Sequence, residues 1–269
     1  MALRRPGPRR ASPVHEMSCT ANELLAVMGA RALRDGVTVF AGVGAPLMAA
    51  ALAQRTHAPT LTMMMEGGIL GPSFKPGELP ISTNEMRTAY RAKMLPGITD
   101  AFLLAQRGFF DVGFIGGAEI DQYGNLNTSA IGGYERPKVR LPGSGGANDI
   151  ISLCREVMIL TVHEKRRFTE RVEFITSPGY LSGGDSRRKS GLLFGGVSRM
   201  VTTLGIFDFE PGSRRMRLIA LHPGKTVADV QANTGFEVLV SGALTTTEPP
   251  TDKELDILRS LDPRRQFIG

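Results

Sequence analysis

Apolar residues recur at helical spacing over residues 21–35, with Leu24, Leu25, Val27, Met28, Ala32 and Leu33 in step. Thr20 or Asn22 stands where a helix cap belongs, and Gly36 where the helix should close. Residues 37–40 (Val-Thr-Val-Phe) then read as a short strand. It runs into the turn Gly42-Val43-Gly44-Ala45-Pro46, and an alanine-rich helix follows over 47–54. Strand, glycine turn and helix form the basic unit of an open α/β sheet.

The pattern recurs. Residues 60–65 predict a buried strand ending at Glu66-Gly67-Gly68, and 98–107 predict a helix. Residues 111–115 predict a strand that stops at Gly116-Gly117-Ala118. Further strands are expected over 157–163, 172–175 and 201–209, the last pairing as a hairpin with 216–221 across Pro211-Gly212-Ser213. A short helix is expected over 226–233. A terminal helix over 252–261 has Thr251 as its cap and Glu254 three residues on. With no internal repeat and no linker, the chain reads as α/β, an open, mostly parallel sheet flanked by helices in one domain over residues 17–269.

Composition narrows the partners. The 269 residues are 42% apolar and 22% charged, an ordinary folded balance, and no stretch approaches a membrane span. Of the net charge of +6, four units come from Arg4, Arg5, Arg9 and Arg10, within residues 1–14, which hold no acid. Residues 1–16 therefore read as a disordered basic extension. The body is left near neutral, with its basic residues dispersed and few aromatics, which argues against nucleic acid as a partner. Cys19 and Cys154 form neither a disulfide framework nor a metal motif, so a reducing, cytoplasmic setting is expected. No histidine pair has ligand spacing, and no metal is expected.

Three constellations carry candidate chemistry. Glu66 follows an apolar run and precedes two glycines whose missing side chains permit close approach of a bulky ligand. It is read either as a desolvated reactive carboxylate or as a turn acid capping the next segment. The segment 116–127 (Gly-Gly-Ala-Glu-Ile-Asp-Gln-Tyr-Gly-Asn-Leu-Asn) ends a strand in successive backbone N–H groups suited to an oxyanion, or is simply a turn. The segment 141–149 (Leu-Pro-Gly-Ser-Gly-Gly-Ala-Asn-Asp) is a donor-rich loop able to wrap a pantetheine arm or a phosphate, without a Walker lysine. Ser144 lacks the context of a nucleophile elbow. His222 reads as a hydrogen-bonded structural histidine, and His163 as the end of a strand at a solvated basic surface.

Taken in order, these motifs resemble the family I CoA-transferases, specifically the small (β) subunit of the glutaconate CoA-transferase type, over residues 20–262. Leu221-His222-Pro223-Gly224 and Thr234-Gly235-Phe236 add to the match. The resemblance implies a CoA-transferase architecture and a catalytic Glu66. Many members carry Ser-Glu-Asn-Gly there; this chain has Met65-Glu66-Gly67-Gly68, keeping the acid and second glycine. It further implies oxyanion donors at Gly116, Gly117 and Ala118, and CoA contacts at Gly42, Gly44, Ala45, Gly143, Gly145 and Gly146. The implied reaction moves CoA from an acyl-CoA to an acceptor carboxylate through a glutamyl-CoA thioester, with CoA as co-substrate and no permanently bound cofactor. The implied partner is a CoA-transferase α subunit in a hetero-oligomer, with no membrane. Two other readings stay open: a CoA-thioester hydrolase of the steroid ring-cleaving type, whose members lack the glutamate, and a non-catalytic binding module.

Overall fold

The computed structural model describes residues 19–192 and 194–269; the basic extension expected over residues 1–16 lies outside them. The strands of the main sheet are β1 (Thr38–Phe40), β2 (Thr62–Met65), β3 (Ile69–Leu70), β4 (Val112–Ile115), and, later in the chain, β9 (Glu156–Thr161), β10 (Val197–Thr202), β11 (Gly205–Phe209), β12 (Met216–Leu221) and β13 (Leu239–Thr246). Between them lie two small ribbons, β5 (Glu119–Ile120) with β6 (Leu126–Asn127), and β7 (Ala130–Ile131) with β8 (Val139–Arg140). The helices are α1 (Ala21–Arg31), α2 (Ala45–Arg55), α3 (Ile98–Gln106), α4 (Ala147–Leu153), α5 (Ser186–Lys189), α6 (Val227–Ala232) and α7 (Asp252–Leu261).

The sheet runs β13-β12-β11-β10-β9-β4-β1-β2-β3. Its five central strands, β10 to β2, are parallel; β3 and β11–β12 add antiparallel pairs at either side. Each central strand is buried on both faces, which is why its sequence is apolar without alternation. Met63 and Met65 enter one core with α1, α2 and α7, while Met64 enters the opposite core with α3 and α4. The methionine run thus packs the interior on two sides.

Local signals explain the starts of α1, α6 and α7. The Thr20, Thr226 and Thr251 hydroxyls accept the N–H of Glu23, Asp229 and Glu254 respectively, whose carboxylates in return accept the threonine N–H groups. Helix α1 stops at Arg31, before Gly36, whose positive φ of 77° serves the turn into β1. Glu23, fully buried, also accepts two bonds from Arg259 and so ties α7 to α1.

Two expected strands are corrected. Residues 201–209 form two strands, because Thr202 Oγ1 accepts from the N–H groups of Leu204 and Gly205 and folds the chain into a hairpin. Residues 172–175 are not a strand: the contact with β6 comes just after them, where the Thr176 and Ser177 N–H groups donate to the Leu126 carbonyl and the Leu126 N–H donates to the Ser177 carbonyl.

Candidate active site

Strands β1 and β4 are neighbours, yet the chain leaves β1 for β2 on the other side. Such a switch point opens a crevice at the carboxyl ends of parallel strands. Here Phe40, Ala41 and Gly42 end β1, and Phe114, Ile115 and Gly116 end β4. Residues 144–147 and Ile150 close the crevice from the α4 side, and Glu66 enters from the turn after β2. The cleft measures about 170 Å³.

Glu66 is held by backbone. The Gly68 N–H donates to the Met65 carbonyl at 2.9 Å, closing the tight turn into β3. Gly68 has a φ of 83°, and a Cβ there would lie 1.9 Å from the Gly97 carbonyl carbon; one on Gly67 would lie 2.6 Å from Asn84 Oδ1. These two glycines therefore admit the chain's own 83–97 segment, correcting the expectation that they admit a bulky ligand. Glu66 Oε1 accepts the Gly146 N–H at 3.1 Å, at the first turn of α4. Helix α4 comes this close because Gly113 in β4 has no side chain: a Cβ would meet Ile150 Cγ2 at 2.5 Å and Cys154 Sγ at 2.9 Å. Glu66 is half-buried and makes no salt bridge among the described residues. One carboxylate oxygen is thus fixed by a neutral donor at the edge of a largely apolar cleft. That arrangement suits attack on an electrophilic carbonyl, since a carboxylate needs no base to remove a proton first.

Of the residues singled out by sequence, Gly42, Gly116, Gly145 and Gly146 line the same cleft as Glu66. Gly44, Ala45, Gly117, Ala118 and Gly143 do not border it. Gly44 caps α2 in a left-handed conformation, and the Gly143 N–H is spent on the Thr128 carbonyl at 2.7 Å. The N–H groups of Gly116, Gly117 and Ala118 donate no hydrogen bond among the described residues. Three successive donors are therefore available at the end of β4.

The model of the Coenzyme A transferase family matches residues 22–233. The chain belongs to that family. It is 39% identical over 244 residues to the B-type subunit of the 3-oxoadipate CoA-transferase of Pseudomonas knackmussii, covering 90% of this chain and 93% of that one. The B-type subunit of the glutaconate CoA-transferase of Acidaminococcus fermentans is 36% identical over 258 residues, 93% of this chain and 95% of that one. The crystal structure of that glutaconate CoA-transferase superposes with a TM-score of 0.86 at 33% identity, over 94% of this chain and 98% of that one. The cholesterol ring-cleaving hydrolase IpdB subunit of Mycobacterium tuberculosis is 36% identical over 152 residues, 56% of this chain and 60% of that protein.

In this CoA-transferase chain no histidine borders the Glu66 cleft. His222 is buried and structural, its ring nitrogens paired with Thr247 Oγ1 and the Thr202 carbonyl. His163 departs from expectation: it is buried, stacked on Phe168 at 4.0 Å and bonded to Thr202 and Thr234. Burial pushes its imidazole down to about 4, so it stays neutral near pH 7. The apolar walls of the cleft (Phe40, Phe114, Ile115 and Ile150) carried no sequence signal beyond their place at strand ends and on a helix face. Among the described residues no cluster of His, Cys, Asp or Glu could hold a metal ion, and no helix is long and apolar enough to cross a membrane.

Proposed function

We propose that this chain is the β-type subunit of a heteromeric CoA-transferase and supplies its covalent nucleophile, Glu66. The observation that carries the reading is the Glu66 carboxylate, bonded to Gly146 N–H at 3.1 Å and facing a cleft that is also lined by Gly116, the first of the free donors at the end of β4. In the first half-reaction Glu66 attacks the thioester carbonyl of an acyl-CoA, giving an acyl-glutamyl anhydride and CoA thiolate. The thiolate then attacks the glutamyl carbonyl, releasing the acyl group as a carboxylate and leaving CoA as a thioester on Glu66. An acceptor carboxylate attacks that thioester, and the expelled thiolate takes the acceptor's acyl group, restoring Glu66. Each carbonyl attack creates an oxyanion, and N–H donors at the end of β4 would stabilise it; losing one such donor costs on the order of 10²–10³ in rate. CoA is the co-substrate, with Gly42, Gly145 and Gly146 at its cleft and Gly44, Ala45 and Gly143 as outlying contacts.

A companion α subunit would complete the site. Supporting this, the segment packed against the Glu66 turn carries Met94, Leu95 and Ile98 at 56, 65 and 49% exposure, unusual for such side chains. The unit would be one domain over residues 17–269, with residues 1–16 as its basic extension. The two free cysteines, Cys19 and Cys154, fit a reducing, cytoplasmic setting.

The test is a CoA-transfer assay on the two-subunit complex, with succinyl-CoA as donor and 3-oxoadipate, glutaconate and other carboxylates as acceptors. Transfer that depends on an acceptor, and is lost in Glu66→Gln, is expected. Steady release of free CoA without any acceptor would favour the hydrolase reading, which the likeness to the IpdB subunit keeps in view.

A further inference from the structure

We infer that Arg167, in the turn after β9, is a positioning residue for the donors at the end of β4. The inference rests on the reading of residues 116–118 as oxyanion donors.

Arg167 grips the 117–120 segment at two points. Its carbonyl accepts the Ile120 N–H at 2.6 Å, and its guanidinium Nη1 donates to the Gly117 carbonyl at 3.2 Å. The turn that presents it is itself closed by the Arg167 N–H donating to the Glu164 carbonyl at 2.8 Å. The Glu164 carboxylate lies 3.6 Å from Arg167 Nε, an ion pair without a hydrogen bond at that nitrogen. Phe168, the next residue, is locked by its stack on His163 and by the Gly235 N–H donating to its carbonyl at 2.7 Å. Arg167 therefore stands on a rigid base.

The consequence follows from peptide geometry. The Gly117–Ala118 peptide is planar and trans, so its carbonyl and its N–H point in opposite directions. With the carbonyl tethered to Arg167, the Ala118 N–H is aimed to the other side and cannot swing. Glycines at 116 and 117 leave this stretch otherwise free to rotate, so the tether supplies the order that the sequence withholds. A cation on the carbonyl also polarises the peptide and strengthens its N–H as a donor. Arg167 touches no reacting atom in this account; it acts through the peptide it holds.

The experiment uses the two-subunit complex, with succinyl-CoA as donor and 3-oxoadipate as acceptor, comparing wild type, Arg167→Met and Arg167→Lys. Arg167→Met is expected to lower kcat by about tenfold or more, with KM for succinyl-CoA within about twofold and the thermal midpoint unchanged. Arg167→Lys, which keeps a charged donor, is expected to recover part of the lost kcat. Unchanged kcat in Arg167→Met, a loss confined to KM, or activity that falls only in step with the thermal midpoint in both variants overturns the role of Arg167. A wild-type complex that forms no thioester on Glu66 overturns instead the functional reading beneath it.

Discussion

Replacing Gly146 with alanine tests how the nucleophile is held. The backbone at Gly146 has φ −80° and ψ −1°, which alanine adopts without strain. The added Cβ, however, would sit 2.8 Å from Glu66 Oε1 and 2.8 Å from Phe102 Cζ. That is about 0.6 Å inside ordinary van der Waals contact, so the carboxylate must move and its bond to the Gly146 N–H must lengthen. Misplacing a reacting group by about 1 Å costs on the order of 10²-fold in rate, so a loss of roughly 10- to 100-fold is expected. Stability should change little. Exchanging glycine for alanine at a helix N-cap costs about 1 kcal/mol or less, a shift of roughly 2–4 °C in a chain of this size. The assay is the single-turnover rate of glutamyl-CoA formation in the two-subunit complex, alongside a thermal melt. Wild-type rates in Gly146→Ala would refute the claim that this contact sets the place of Glu66. A melt lowered by ten degrees or more would assign the glycine to folding instead.

Other consequences follow from burial and exposure. His163 is neutral in the fold to about pH 4, whereas in the unfolded chain it binds a proton near pH 6.5. Between those values the unfolded state holds more protons, so stability falls as pH drops below 6.5, by about 2 kcal/mol at pH 5 from this group. His163→Gln should flatten that decline in urea unfolding compared at pH 7.5 and pH 5; an unchanged slope contradicts it. Met94→Asp together with Ile98→Asp should leave the melt of the isolated chain unchanged, because both side chains are exposed, yet prevent co-elution with the companion subunit. Normal co-elution would remove that segment from the interface.

The sequence was most legible where the determining contact is local. The Thr251 cap with Glu254 and its helix appear as expected, because the whole signal lies within four residues. The hairpin of β11 with β12 likewise follows from its turn residues. The start of helix α4 carries only loop signals in the sequence, since its capping glycine makes no side-chain cap bond and its N–H pairs with Glu66, 80 residues away. Strand β13 leaves no legible pattern in the sequence because it is a half-exposed edge interrupted by a register shift, without a clean alternation of buried and exposed positions. His163 is buried although the basic residues after it point to solvent, because its partners Thr202 and Thr234 come from distant segments. At the site, Glu66 stood out as a lone acid after an apolar run. What the pattern could not convey is that its neighbouring glycines make room for the chain itself.

The central claim is that Glu66 becomes covalently attached to CoA. The most direct measurement incubates the two-subunit complex with succinyl-CoA, reduces it with borohydride and maps the modified peptide by mass spectrometry. The account predicts a single modification at Glu66, where the thioester is reduced to a primary alcohol, and none in Glu66→Gln. Reduction at another carboxylate, or turnover of succinyl-CoA with Glu66 never modified, would contradict it.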